Sequence, residues 1–397
     1  MAAVPETPER LTAPAAAALP CTFDSFWIAG FECACHRNSK GKRLDMIASV
    51  QHDRLAYEDY AMLREVGIRT ARDGVRWHLI DRGSRFDFSS LTPMADAAER
   101  AGTQVMWDLC HYGWPDEVDV LKPAFVDRFA RFCGAVARFF RDRSDRVPFY
   151  TPVNEISFLA WGAARRLIYP HARGRDGELK AQFVRATIAG AEAIWAVDPR
   201  ARMATAEPLI HLVPPRRRPQ LADVARARSA SQFEAWDLLS GHVAPELGGH
   251  PKYLDVLGVN FYAPNQWEHP GGRKLMWDGR PLDDRWRPLS LLLEDVWRRY
   301  HRPIFIAETS HYGVGRAPWI REVSEEVYGA RAAGVPIEGV CLYPILDRHD
   351  WDDAKHWHNS GLWDLEEDEG IYRRKLNAVY AREFERSRRL LASAECH

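Results

Sequence analysis

The segment Phe149-Tyr150-Thr151-Pro152-Val153-Asn154-Glu155 and its counterpart Pro303-Ile304-Phe305-Ile306-Ala307-Glu308 decide how this chain is read. Each is a short apolar run that closes on a glutamate. Such runs suit strands buried on both faces, as in parallel sheets. Outward from them, strand-like runs alternate with helical periodicity along the chain. Strands are expected at 26–35, 70–77, 104–109, 149–155, 201–206, 254–261, 303–308 and 339–346. Helices are expected over 57–66, 90–100, 123–143, 178–197, 232–239, 289–300 and 318–333, with a last outer helix over 375–391. Gly67, Gly102, Asp198-Pro199 and Gly334 supply the stops. Strand–helix alternation of this length, with no Gly-rich phosphate-binding turn after the first strand, predicts an α/β fold: a single closed (β/α)8 TIM barrel over 21–397, not an open doubly wound sheet. Residues 1–20, rich in Ala and Pro, read as a disordered N-terminal tail.

A closed parallel barrel opens the C-terminal ends of all its strands on one face. Glu155 and Glu308, ending strands four and seven, then face each other across one pocket. Paired carboxylates are the machinery of glycoside hydrolysis, and a separation of about 5–5.5 Å corresponds to the retaining, double-displacement route. Asn154, directly before Glu155, is placed to bind a sugar 2-hydroxyl. Arg76 at the end of strand two and Tyr262 at the end of strand six are the expected partners of a buried Glu308. The segment 349–358, with Asp350, Trp351 and three histidines, mixes polar groups with an aromatic face and suits a polyhydroxylated ligand. Glu207, Glu32, Asp73 and Asp108 are further acids near the strand ends, and His111, His211 and His311 are nearby nitrogen donors. No His-Glu-x-x-His or similar spacing supports a metal among them, so neither a metal nor another cofactor is expected.

Net charge is −1, which gives no electrostatic footprint for nucleic acid or an anionic membrane. Fifteen tryptophans supply faces on which pyranose rings can stack as well as core packing. Seven cysteines, odd in number and without zinc or redox spacing, favour a reducing compartment and a cytoplasmic location. The N-terminus carries no secretory pattern, and no apolar stretch is long enough to span a bilayer. The basic, proline-rich stretch 214–228 reads as a solvated loop, and 264–287 as a rim or lid. Oligomeric state is not legible.

Over residues 26–363 the motifs resemble those of family 1 glycoside hydrolases, the β-glucosidase and β-galactosidase type of retaining barrel glycosidase. The run from Tyr57 through Arg69 resembles the family's first helix and the approach to strand two; continued without a gap, it places Arg76 on the strand-two arginine, with Gly74-Val75 for the usual Trp-Ser. Leu109-Cys110-His111-Tyr112-Gly113-Trp114-Pro115 resembles Leu-Tyr-His-Trp-Asp-Leu-Pro and places His111 on a glycone-binding histidine. Asn154-Glu155 matches the acid/base motif, with Ile156 for proline. Gly258-Val259-Asn260-Phe261-Tyr262 resembles the strand-six motif. Ile306-Ala307-Glu308-Thr309-Ser310 keeps the nucleophile glutamate and loses Asn-Gly. The run from Tyr343 to Trp351 resembles Trp-Ser-Leu-Leu-Asp-Asn-Phe-Glu-Trp, so Tyr343 stands for a Trp platform and Asp350 for a sugar-gripping glutamate. His36 stands near the strand-one glutamine. The resemblance implies a divergent retaining β-glycosidase with Glu155 as acid/base and Glu308 as nucleophile. An anion at Asp350 would repel a 6-phosphate, so an unphosphorylated sugar is expected. A transglycosylase on the same site and a non-catalytic carbohydrate-binding barrel are the alternative readings.

Overall fold

The computed structural model describes residues 22–279 and 281–392; the N-terminal tail expected at 1–20 lies outside them. Strands β1 (Trp27–Gly30), β2 (Thr70–Gly74), β3 (Gln104–Asp108), β4 (Phe149–Thr151), β5 (Arg202–Pro208), β6 (Val256–Asn260), β7 (Ile304–Thr309) and β8 (Ile337–Leu342) close into a barrel. All neighbours pair in parallel, and β8 returns to β1. The connecting helices are α1 (His52–Leu63), α2 (Thr92–Ala101), α3 (Ala124–Arg141), α4 (Ile156–Ala164), α5 (Asp176–Trp195), α6 (Ala222–Ala230), α7 (Glu234–Ser240), α8 (Leu289–Tyr300) and α9 (Arg316–Ala332), with α10 (Ala378–Ala392) last. The expected (β/α)8 TIM barrel is the observed fold.

The period of two along each strand builds two cores. Ile28, Met106, Phe149, Ala204, Val256 and Phe305 point inward and fill the barrel, with Phe23 beneath them. Residues of the other parity, such as Trp27, Ala71, Trp107, Tyr150 and Leu257, pack outward against the helices. Helix α3 shows how the sequence directs this: Phe125, Phe129, Phe132, Val136 and Phe139 recur at helical spacing, and all are buried. Gly30 has a steric reason for its identity: a Cβ there would collide with the Tyr343 ring, which lies across the top of β1.

The structure differs from the sequence reading in four places. Strand two ends at Gly74, because the chain turns there; the Val75 N–H donates to the Asp108 carbonyl at 2.8 Å and Trp77–Ile80 is already helical. The stretch 363–376 forms an antiparallel hairpin, Trp363–Asp368 with Ile371–Leu376, and the last helix starts only after it. Its strands carry charge on both faces, so they give no apolar alternation to read. The basic stretch after Pro214 gives way to α6. The expected rim at 264–287 contributes Gln266–Glu268, which pairs in parallel with His211–Val213.

Behind β2, a buried ionic network ties the barrel to that hairpin. His52 of α1 sits between Asp59 (Nδ1–Oδ2 2.8 Å) and Asp73 (Nε2–Oδ2 2.7 Å), stacked on Phe31. Tyr60 donates to Asp73 at 2.5 Å, and Arg374 of the hairpin forks onto Asp59 at 2.6 and 2.8 Å. Burial alone would depress the imidazole pKa; the two carboxylates outweigh it and raise it to about 9. A group raised in the folded state stabilises fully below its unfolded pKa, and that contribution disappears as pH rises through about 9. Thermal melts of wild type and His52→Gln should therefore differ most at about pH 6, by on the order of 2–3 kcal/mol, and converge toward about pH 10. A difference that does not change with pH would remove His52 from this role.

Candidate active site

The C-terminal ends of the strands open into a cavity of about 1110 Å³. Its floor carries both glutamates. Glu308, at the end of β7, accepts from Arg72 Nη1 at 2.8 Å and Asn154 Nδ2 at 3.2 Å through Oε1, and from the Tyr262 hydroxyl at 2.8 Å through Oε2. Glu155, the residue before α4, accepts a hydrogen bond from the Tyr112 hydroxyl. Asn154 Nδ2 also reaches that hydroxyl at 3.0 Å, so a short chain of hydrogen bonds joins one carboxyl to the other.

The two carboxyls differ in surroundings. Burial raises the Glu155 pKa first, the nearby Glu308 charge raises it further, and it reaches about 8. Glu308 instead has a guanidinium against it. Arg72 is fully buried; burial opposes its charge, but Asp108 and Glu308 outweigh that and hold it protonated. Its fork grips Asp108 at 2.8 and 3.1 Å, and Nη2 donates to Asn154 Oδ1 at 2.6 Å. Asp108 in turn takes His111 Nδ1 at 2.9 Å. A buried acid raised in this way beside a carboxyl held by a guanidinium suits a general acid and its partner nucleophile.

Backbone conformation points to the same place. Glu155 has φ +46° and Tyr112 has φ +71°, in the left-handed region that bulky residues avoid. Residues held this way cost about 1–3 kcal/mol each and cluster at working sites. Glu207, buried at the end of β5, accepts the Ser157 N–H at 3.1 Å and so holds the first turn of α4 behind Glu155. Burial raises its own pKa to about 7.

Of the residues singled out in the sequence, His111, Asn154, Glu155, Tyr262, Glu308, Tyr343 and Trp351 meet at this cavity or hold its floor. Tyr343 stacks parallel to His111 with ring centroids 5.7 Å apart. Three residues are elsewhere. Arg76 lies past the end of β2 and binds Asp45 (3.0 Å), Asp53 (3.1 Å) and the Ser90 carbonyl (3.2 Å), away from Glu308. The arginine on Glu308 is Arg72, because inward positions of β2 alternate and Arg72 is inward while Asp73 faces His52 and Tyr60 outside. Asp350 does not line the cavity; the amides of Asp352 and Asp353 and His358 Nε2 occupy its carboxylate at 2.8, 3.0 and 2.9 Å. The acid that enters the cavity is Glu32, 3.4 Å from Arg348 and fixed by the Ala34 N–H at 3.1 Å. Asp350 therefore sets no charge against a 6-phosphate in the cavity. His36 is buried edge-on behind Trp351 (4.6 Å) and Tyr112 (5.9 Å) and does not line the cavity.

Among the described residues, Cys33, Asp108 and His111 bring potential metal-ligand atoms within 4.8 Å of one another. The Arg72 fork already occupies both Asp108 oxygens, and burial and neighbouring carboxylates raise the Cys33 thiol well above its usual range. That donor set is a hydrogen-bonded cluster around a guanidinium and does not fit a cation.

No family model matches the sequence, and no curated protein matches it. Solved structures do. The AHE enzyme from Alicyclobacillus herbarius superposes with a TM-score of 0.70 over 87% of this chain and 88% of its own, at 18% identity. A family 1 β-glucosidase from Thermotoga maritima matches with a TM-score of 0.69 over 85% and 87%, at 15% identity. The β-glycosidase BGL167 matches with a TM-score of 0.64 over 86% and 87%, at 17% identity. The chain shares the (β/α)8 barrel fold of these structures. On this barrel the cavity, Glu155 and Glu308 occupy the strand-end face where barrel enzymes carry their chemistry.

The exchange of Arg76 for Arg72 has a direct test. Arg72→Gln leaves Asp108 and Glu308 buried without their cation, a change that typically costs about 3–5 kcal/mol. Its melting temperature should drop sharply, whereas Arg76→Gln, away from the cavity and paired with the half-buried Asp45 and Asp53, should lose much less. Equal losses in the two variants would contradict the assignment.

Proposed function

We propose that this protein is a retaining β-glycoside hydrolase. The single observation carrying the reading is the unlike pair Glu155 and Glu308: one carboxyl raised to about 8, the other bound by Arg72 and Tyr262, in one cavity. The solved neighbours named as β-glucosidases support it. Glu308 attacks the anomeric carbon while Glu155 protonates the departing oxygen, and the glycosidic C–O bond breaks. Glu155, now ionised, takes a proton from water, which displaces Glu308 and regenerates both groups. Asn154 stands between the two carboxyls, where a 2-hydroxyl would lie. Glu32, Arg348 and Trp351 would face the remaining sugar hydroxyls.

A panel of 4-nitrophenyl β-glycosides, followed by proton NMR of the first-formed product, tests this. Release of the β-anomer before mutarotation is expected. Release of the α-anomer would remove Glu308 as nucleophile. The same reaction with an added alcohol separates hydrolysis from transglycosylation: transfer products dominating at low alcohol concentration would favour the transferase reading.

A further inference from the structure

We propose that the outer half of the cavity is a leaving-group site for an extended aromatic alcohol that ends in an anion; this rests on the glycosidase reading of the inner half. Charge is segregated along the cavity. Glu32, Glu155 and Glu308 enter the cavity from the strand ends, Glu32 against Arg348, whereas Arg165, Lys180, Arg228 and Lys274, with Asp176 and Glu234, line it from helices α4–α7 and the 264–287 rim. Lys180 is paired with Glu234, and Lys274 lies over the Trp267 ring. Arg165 and Arg228 are exposed and have no ion pair among the described residues.

Helix α4 supplies the track between the two ends. Glu155 precedes it; Phe158, Trp161 and Arg165 follow at spacings of three, three and four, which puts them on one helix face. All of them line the cavity, and the Phe158 and Trp161 rings are 5.8 Å apart. At 1.5 Å per residue, Arg165 lies about 15 Å along the axis from Glu155, the length of two or three linked aromatic rings. Trp267, Met276 and Trp277 line the cavity as well. Phe158, Trp161, Trp267, Met276 and Trp277 make the lining of this track aromatic and apolar between its charged groups. An aromatic leaving group would find ring faces, and a terminal carboxylate or sulfate would find two guanidinium groups.

The test uses 4′-hydroxybiphenyl-4-carboxylate and its neutral primary amide, both as free ligands and as their β-glucosides, with the full chain. By calorimetry the acid should bind about tenfold more tightly than the amide at about 20 mM salt, and the two should converge at about 0.5 M. In Arg165→Gln/Arg228→Gln they should converge at low salt too, and the kcat/KM ratio of the two glucosides should fall in step. Both arginines are exposed, so the variant should fold. Equal binding of acid and amide at low salt, or a preference that survives the double substitution, would overturn the proposal. Arginine-dependent binding of the acid by a chain that hydrolyses no glycoside would sustain the anion site and refute the glycosidase reading. Hydrolysis of both glucosides at equal rates would do the reverse.

Discussion

Glu308→Ala should lose about 10,000-fold or more in kcat/KM on every glycoside the wild type cleaves, whatever the leaving group. The loss is large because residues that act as one unit fail together when the attacking atom is gone. Independence from the leaving group follows from position: Glu308 forms the new bond and gives no proton to the departing oxygen. The fold should survive, since Arg72 keeps its fork on Asp108 at 2.8 and 3.1 Å and its contact to Asn154. Azide fits the space left by a carboxylate. Attack from that side should restore turnover of a 2,4-dinitrophenyl β-glycoside and give the α-glycosyl azide. A β-azide, or a loss of tenfold or less, would show that Glu308 is not the nucleophile.

The barrel was legible because parallel strands buried on both faces leave continuous apolar runs, and because Gly and Pro mark the helix ends. The segment 363–376 escaped for the opposite reason: a hairpin lying outside the barrel, with Glu366, Glu367, Arg373 and Arg374 on its two strands, carries no such run. At the site, most of the residues that the structure gathers around the two glutamates stand at or just beyond strand ends, where a strand's pattern fixes both place and direction. The misplaced arginine shows the limit. Arg72 and Arg76 are both even-numbered, so period-two reasoning alone allowed either; the choice depended on where β2 stops, at Gly74, and strand ends are the least legible feature of a sequence. Gly74, a residue type that weakens a strand interior, was the available signal for that stop.

Loops past the strands were less legible still. Asp350 was placed by its position in a motif, but its carboxylate is consumed by the turn it starts. Glu32, one of the acids the sequence puts near the strand ends, reaches the same cavity from the other side of the barrel seam, between β1 and β8. Tyr112 was quoted within a motif with no role. Its contact with Glu155 depends on two left-handed backbone positions, φ +71° and +46°, which local propensity does not predict for Tyr or Glu.

Glu155→Ala should divide substrates by leaving group. A 2,4-dinitrophenolate needs no proton to depart, so its glycosylation step should slow little. A simple alkyl glycoside does need one, and should lose about 100- to 10,000-fold, the usual share of a general acid. Azide added to this variant should attack the glycosyl-enzyme on the face that Glu155 served and give the β-glycosyl azide, opposite to the product of Glu308→Ala. The pH dependence follows from the same group. Burial, and then the Glu308 charge, hold Glu155 protonated up to about pH 8. The acid form is the active form, so kcat/KM of the wild type on an alkyl glycoside should fall as pH rises through about 8. That alkaline limb should vanish in Glu155→Ala. Proton uptake also links the group to stability, in the same direction as for His52: both groups are raised in the folded state, so both make stability fall as pH rises. An acid raised in the folded state destabilises it above the unfolded pKa, so Glu155→Gln should melt higher than wild type at about pH 8, by on the order of 1–3 kcal/mol, and should lose that advantage near about pH 4. Equal rate losses on both leaving groups, with the alkaline limb intact, would remove Glu155 from the acid role whatever the melts show.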